Sequence, residues 1–407
     1  HARVATYYEQ AATLHNNSWY QSLIYHYAQA GNDAKVLQYK ILSLVDYSRC
    51  NYELYPILQP QRDSELEAPK QLTKYFDELT SELVRIYNYQ PSSLDFNELE
   101  ARLFLAIGKY YISQGQYKKG MEALTHGLEQ TAYLKQHPEI HISYLRQLTF
   151  YGIQTWNTDL MRENIQKSMG VASAHQLATE YAIESRLYGL YLSMCGNYEE
   201  SKNCLHKAVG LFQGTSLEGQ SYGLNIAACY NYLGEVERKQ LHFEESLDFY
   251  DRAIEICTDR KQPTNPTFYS NKSRSLLALG RWTDAAETLD IANDLYGASS
   301  ILVGRAITKS YLSVINAQQG RFDNAIQLLS EAEKSAKMLS SPMSLGVFSK
   351  VKALLLQNFP ATFAPVFLED FETCCTQATA HLAPLPGAYE CNDAFAIFGL
   401  TGIPTRK

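Results

Sequence analysis

Gly320-x-Phe322-x-x-Ala325-x-x-x-Leu329-x-x-Ala332 has the same residue types at the same spacing as Gly280-x-Trp282-x-x-Ala285-x-x-x-Leu289-x-x-Ala292. One unit earlier stand Leu233-Gly234, then Leu241-x-Phe243-x-x-Ser246-x-x-x-Tyr250-x-x-Ala253. Positions three or four apart share one face of a helix. Each unit therefore reads as a turn followed by a helix whose aromatic, small, large and small residues line one side. The last Ala is small where another helix crosses it closely.

This register resembles the tetratricopeptide pattern, read from its Leu-Gly pair to its late Ala. Working outward, Ile107-Gly108, Tyr111, Gly115-x-Tyr117, Gly120, Leu124 and Gly127 fill the same positions. Two of those small positions are Gly in place of Ala, a cost of roughly 1 kcal/mol each in a helix. Tyr188-Gly189, Gly196-x-Tyr198, Ser201, Leu205 and Ala208 make another unit. Residues 139–156 and 158–171 form a weaker pair with its turn at Trp156-Asn157-Thr158-Asp159. Turns fall at 31, 115, near 157, 196, 241, 280 and 320, a spacing of about 40 or twice that. The plain repeat is about 34 residues, so longer helices or connections are expected. Eight or nine hairpins account for the chain. The expected fold is all-α: a superhelical solenoid of degenerate tetratricopeptide-type helical hairpins.

Toward the ends the rhythm changes. Residues 1–12 read as an amphipathic helix with Val4, Tyr7, Tyr8 and Ala11 on one face. Asn16 to Ser18 suit a turn and cap, and Gly31 divides a first hairpin within 1–48. Residues 49–94 are irregular: a short helix at about 51–58, an exposed loop through Pro60, then a helix from Lys70 through Ile86. The array occupies 95–383, with late helices from Pro342 and between Pro360 and His381. Residues 384–407 form a tail whose apolar Phe395, Ile397, Phe398 and Leu400 suit a cap on the last repeat or a docking peptide.

Bulk properties narrow the function. The 407 residues are 45% hydrophobic and carry a net charge of -7 with no basic block. Duplex nucleic acid is not an expected partner, since phosphate binding needs a concentrated positive face. No run of about 18 apolar residues exists, so no membrane span is expected. The chain starts at His1 without a signal-peptide pattern, which reads as a piece of a longer protein. Eight cysteines lack pairwise spacing and suit small buried hydrophobes in a reducing, cytoplasmic setting. Thirty tyrosines against sixteen phenylalanines suit inter-helix packing with hydroxyls at the solvent edge, or a groove that grips peptides.

No catalytic constellation is present in the sequence, and no cofactor or metal is expected. The phosphate-binding G-x-x-x-x-G-K-[ST] and the zinc-binding H-E-x-x-H are missing. His137 and His141 are four apart, but Pro138 places them at a helix start or turn. Glu199-Glu200 and Glu244-Glu245 suit helix N-termini. The first helix of each unit lines the concave side of such repeats. That register places Arg186, Asn231, Glu235, Arg238, Ser270 and Arg274 there. Arg186, Asn231, Arg238 and Arg274 are the peptide-groove candidates, suited to a carboxylate or acidic peptide. The alternative is solvated surface charge partly paired with Glu235. Lys272-Ser273, where Leu-Gly belongs, departs from the register.

A second resemblance lies at the start. His1-Ala-Arg-Val-Ala-x-Tyr7-Tyr8-Glu9, then Leu23-x-Tyr25-His26-Tyr27-x-x-Ala30-Gly31-Asn32-x-x-Lys35-Val36-x-x-Tyr39, resembles a recurrent junction. There a signal-transduction ATPase module hands over to tetratricopeptide repeats. The layout is similar to that of soluble, bicarbonate-responsive (type 10) adenylyl cyclases, and of some bacterial regulators and kinases. The resemblance implies cyclase and NTPase domains upstream and a regulatory or scaffolding role for this region. It carries over no catalytic residue. The expected partners are a protein, a peptide or the upstream domains. Rival expectations are a stand-alone adaptor in a cytoskeletal or trafficking complex, and the ligand-sensing arm of a transcriptional or kinase regulator.

Overall fold

The computed structural model describes residues 1–15, 19–58, 70–90, 95–215, 222–259 and 264–385. Among them the regular structure is helical, in nineteen α-helices. In chain order they are α1 (Ala2–His15), α2 (Tyr20–Gln29), α3 (Asp33–Tyr52), α4 (Leu72–Tyr89), α5 (Phe96–Ser113) and α6 (Tyr117–Thr131). There follow α7 (Pro138–Thr155), α8 (Thr158–Ala174), α9 (Ala178–Met194), α10 (Tyr198–Gly214), α11 (Gly223–Lys239), α12 (Phe243–Asp259) and α13 (Pro266–Ala278). The last are α14 (Trp282–Gly297), α15 (Arg305–Gln318), α16 (Phe322–Leu339), α17 (Pro342–Asn358), α18 (Pro360–Phe363) and α19 (Phe371–Leu382).

The turn inside seven hairpins is one piece of backbone, made again each time. Gly31, Gly115, Trp156, Gly196, Leu241, Gly280 and Gly320 all have positive φ, from 57° to 84°. Each stands two residues before the next helix. The following residue donates its N–H to the carbonyl five residues back: Asn32 to Tyr27, Gln116 to Tyr111, Asn157 to Gly152, Asn197 to Leu192, His242 to Glu237, Arg281 to Leu276 and Arg321 to Asn316. This closure satisfies carbonyls that a helix end otherwise orphans. Trp156 and Leu241 adopt it with a Cβ, at a cost of roughly 1–2 kcal/mol.

Helix pairs are set by a small residue facing a large one sixteen positions later. A Cβ on Gly189 would stand 2.7 Å from Leu205, and one on Gly234 2.7 Å from the Tyr250 ring. Gly108 meets Leu124 in the same way. At the departure from the register, Ser273 is fully buried and its hydroxyl turns back onto the Ser270 carbonyl at 2.7 Å. Serine keeps the close approach because its one polar group is satisfied locally.

The chain forms two compact units: His1–Leu148 with Gln166–Tyr181 and Gln213–Tyr222, and Thr149–Ile165 with Ala182–Phe212 and Gly223–Lys407. In the first, Leu37, Ile41 and Leu44 of α3 pack with Phe76, Leu79 and Leu83 of α4 and Leu99 and Leu103 of α5. In the second, a core from α12 to α19 gathers Leu289, Tyr311, Leu329, Val351, Leu355 and Phe363. Several tyrosines lie deeper than a solvent-edge role requires. Tyr144, Tyr250, Tyr296 and Tyr311 are fully buried. Tyr144 donates to the Ala101 carbonyl at 2.5 Å and Tyr296 to the Val303 carbonyl at 2.7 Å.

Three local expectations change. On α1, Val4 and Tyr7 are exposed and Ala5 is the buried residue. Glu9 draws that side inward: it accepts from Lys35 Nζ at 3.0 Å and from the Tyr39 hydroxyl. Glu9, Lys35 and Tyr39 thus tie α1 to α3. No separate helix occupies 51–58; α3 runs on to Tyr52 and Glu53 is extended at ψ 138°. Pro56 disfavours helical backbone before it, and the Glu53 carboxylate is taken by Lys109. The final helical stretch is two helices, α18 and α19. The expected cap at 16–18, the loop after Pro60 and most of the 384–407 tail lie outside the described residues.

Candidate functional site

The second unit repeats a first helix, α11, α13, α15 and α17, followed in the first three cases by a second helix, α12, α14 and α16. Along the stack α11 meets α13 and α15 meets α17, and Thr308 of α15 hydrogen-bonds Ser270 of α13. The first helices therefore stand next to one another along this unit.

Charge is sorted between the two kinds of helix. Helices α13, α15 and α17 carry Lys272, Arg274, Arg305, Lys309, Lys350 and Lys352 and no acid. Helices α12 and α14 carry Glu244, Glu245, Asp248, Asp251, Glu255, Asp259, Asp284, Glu287, Asp290 and Asp294 against one base, Arg252. Three of the four first helices are therefore positive, while α11 carries Glu235 and Glu237 against Arg238 and Lys239; Arg274, Lys350 and Lys352 are buried. Some bases are held by neighbouring acids: Lys272 by Asp251, Lys309 by Glu331, and Lys352 by Glu369 at 2.7 Å.

All four residues proposed from the sequence lie in this unit and are buried: Arg186 is 2% exposed, Asn231 1%, Arg238 7% and Arg274 8%. Asn231, Glu235 and Arg238 follow one face of α11 by their spacing. Arg238 grips Glu235 with two hydrogen bonds, Nε to Oε1 at 3.1 Å and Nη2 to Oε2 at 3.0 Å. Arg274 Nη1 approaches the same carboxylate at 3.6 Å and donates to Asn271 Oδ1 at 3.3 Å. Asn271 Nδ2 donates to Asn231 Oδ1 at 3.1 Å. These residues make one polar row across α11 and α13. Arg186, on α9, stands instead against Tyr232, its guanidinium 5.9 Å from the ring centroid. Ser270 accepts from the Thr308 hydroxyl at 2.8 Å.

The row also contains residues that helical spacing did not single out. The Tyr250 hydroxyl donates to Glu235 Oε1 at 2.6 Å. Lys239 Nζ donates to the Ser193 carbonyl and hydroxyl, each at 3.1 Å. Burial works against the Glu235 anion, yet Arg238 and Arg274 beside it hold its carboxyl well below the usual range. Burial pushes the Lys239 ammonium down to about 8, Glu235 opposing and Arg238 and Arg274 adding to the fall. Arg274 is also lowered, by burial and then by Arg238. One sequence signal pointed here: Tyr250 occupies the position where Leu289 and Leu329 stand in the next units.

Among the described residues no group of three His, Cys, Asp or Glu side chains gathers as a metal site. His141 lies on α7 and shares a 2.8 Å hydrogen bond with Thr131, while His137 pairs with Glu139. Among the described residues no helix is long and apolar enough to cross a membrane.

The tetratricopeptide repeat family matches residues 226–259, which span α11 and α12. A comparison with curated proteins finds no match. Among solved structures, a Rap protein in complex with Competence and Sporulation Factor is similar, with a TM-score of 0.57 and 15% identity over 80% of this chain and 88% of that one. The apo form of RapI covers 65% of this chain and 94% of its own at 13% identity and a TM-score of 0.47. The apo quorum sensor NprR from B. thuringiensis covers 81% of this chain and 95% of its own at 13% identity and 0.45. At such identities a likeness speaks for the fold alone. The chain is an all-helical repeat protein of tetratricopeptide-type hairpins.

Proposed function

We propose that this chain is a non-catalytic, regulatory binding region whose second unit receives an acidic polypeptide segment along its first helices. The observation that carries this reading is the sorting of charge: bases without acids on α13, α15 and α17, acids on α12 and α14. Such a field attracts anionic partners and repels cationic ones. The segment belongs to a partner protein or to another part of the same protein. The similar Rap fold is solved with a factor bound, which supports a ligand-holding use of such repeats and fits a sensing arm of a regulator. The cyclase parentage rests on the resemblance of residues 1–39 alone. Free thiols at Cys195, Cys204, Cys229, Cys374 and Cys375 support a reducing, cytoplasmic setting.

Selection of random 12-residue peptides displayed on phage against the whole chain tests the reading. The expected result is enrichment in Asp and Glu, competition for one site, and binding that weakens as salt rises. Enrichment in Lys and Arg, or no enrichment, overturns it.

A further inference from the structure

The first hairpin brings two imidazoles into direct contact. His1 leads into α1, and His26 lies in the last turn of α2. Their Nδ1 atoms stand 2.8 Å apart. Aromatic neighbours hold the rings. Tyr8 of α1 stacks on His26 at 5.8 Å and 16°, and packs in turn on Trp19 at 5.4 Å. Tyr25 lies nearly perpendicular to both imidazoles, 5.8 Å from His1 and 5.0 Å from His26. His1 is exposed and His26 half-buried, so the pair is supported on its flanks and reached from solvent.

Two ring nitrogens at this distance have two uses. With a proton on one Nδ1, that atom donates and the other accepts. With both rings protonated on Nε2 alone, two lone pairs are left side by side, and neutral imidazole is a common metal ligand. Imidazole nitrogens bind a metal at about 2.0–2.1 Å. Two of them at right angles about one ion therefore lie about 2.9 Å apart, and two at the tetrahedral angle about 3.3 Å. The observed separation matches the right angle, which belongs to the tetragonal ions Cu2+ and Ni2+. The exposed His1 ring has room to tilt its lone pair onto the ion.

We propose that His1 and His26 form a site for one divalent transition-metal ion of tetragonal preference, Cu2+ or Ni2+, with water in its remaining positions. The two side chains alone make the site. A bound ion links the start of α1 to the end of α2, and so fastens the first hairpin. The site lies in the first unit and is independent of the acidic-segment reading of the second.

The test uses the whole 407-residue chain behind a carrier protein, so that no α-amino group adjoins the His1 ring. Its unfolding temperature is followed in nickel chloride and in magnesium chloride at about pH 7.5, where imidazole is mostly neutral. Ni2+ is expected to raise it saturably and Mg2+ to leave it unchanged. His1→Ala and His26→Ala are each expected to weaken the Ni2+ response about tenfold or more. His206→Ala, at an exposed position of α10, is expected to respond as wild type does. The wild-type response should fade at about pH 5.5, where protons compete for the ring nitrogens. Equal responses to the two salts, or a response undiminished in His1→Ala or in His26→Ala, overturn the site. Should His26→Ala melt too low to compare, calorimetric titration of His1→Ala with Ni2+ decides. Binding as tight as in wild type overturns the site, and binding about tenfold weaker supports it.

Discussion

The Tyr250 hydroxyl donates to Glu235 Oε1 at 2.6 Å, and so joins the second helix of one hairpin to the charged row on its first. The Tyr250 ring also fills the space that Gly234 leaves. One side chain thus sets the helix spacing and orients the carboxylate that two arginines share. Tyr250→Phe keeps the ring and removes the hydrogen bond. A bond to a charged group is worth about 2 kcal/mol. Urea unfolding should show a loss of that order with an unchanged slope, since the surface exposed on unfolding stays the same.

Arg238 and Arg274 are buried on Glu235, and reversing either charge should unfold the row. Arg238→Glu or Arg274→Glu places two carboxylates where one was shared. The expected cost is about 3 kcal/mol or more for each. A solvated arginine would cost within about 0.5 kcal/mol. Circular dichroism during heating distinguishes the two cases directly.

The row makes stability depend on pH in two opposite ways. Glu235 has a folded pKa well below the unfolded value, so its contribution is present above that value and fades as pH falls through the acid range. The gap in stability between wild type and Glu235→Gln should shrink as pH drops below about 4.5. Lys239 releases its proton near 8 when folded and near 10.4 when unfolded. Between those values the unfolded chain binds more protons, so stability rises with pH. Relative to Lys239→Met, wild type should gain on the order of 2 kcal/mol from pH 8 to 10. Denaturant titrations at stepped pH measure both slopes.

Two glycines in helices should respond oppositely to alanine. A Cβ on Gly127 would intrude on the Tyr144 hydroxyl and stand 2.9 Å from Phe104. Gly127→Ala should cost about 1–3 kcal/mol through overpacking. A Cβ on Gly210 meets nothing within 4 Å. Gly210→Ala should stabilise by up to about 1 kcal/mol through helix propensity. A thermal scan of the pair tests whether close helix approach, and not glycine content as such, explains the Gly at tetratricopeptide positions.

Much of the fold was legible because the repeat is local. Gly280 to Ala292 and Gly320 to Ala332 state a turn, a helix and its packed face within thirteen residues each, and the structure places a left-handed residue at every expected hairpin turn. The misread pieces had competing causes. On α1 the expected face held at Tyr8, which packs against the buried cluster, and failed at Val4 and Tyr7, because Glu9 found Lys35 and Tyr39 across the hairpin. The short helix expected at 51–58 is absent beyond Tyr52, where Pro56 disfavours helical backbone and Lys109 takes the Glu53 carboxylate.

The sequence by itself determined that the chain is helical, where its hairpins turn, and which residues share one face of a helix. Those follow from a 3.6-residue period and from turn chemistry, which act within a few residues of the chain. Only the tertiary structure decided that Arg238 and Arg274 share Glu235 and that Lys239 reaches Ser193. Periodicity tells which side chains share a face. How deeply that face is covered, and which charge meets which, depends on the neighbouring helices. At close range under low dielectric those pairings set the energy of every charge in the row.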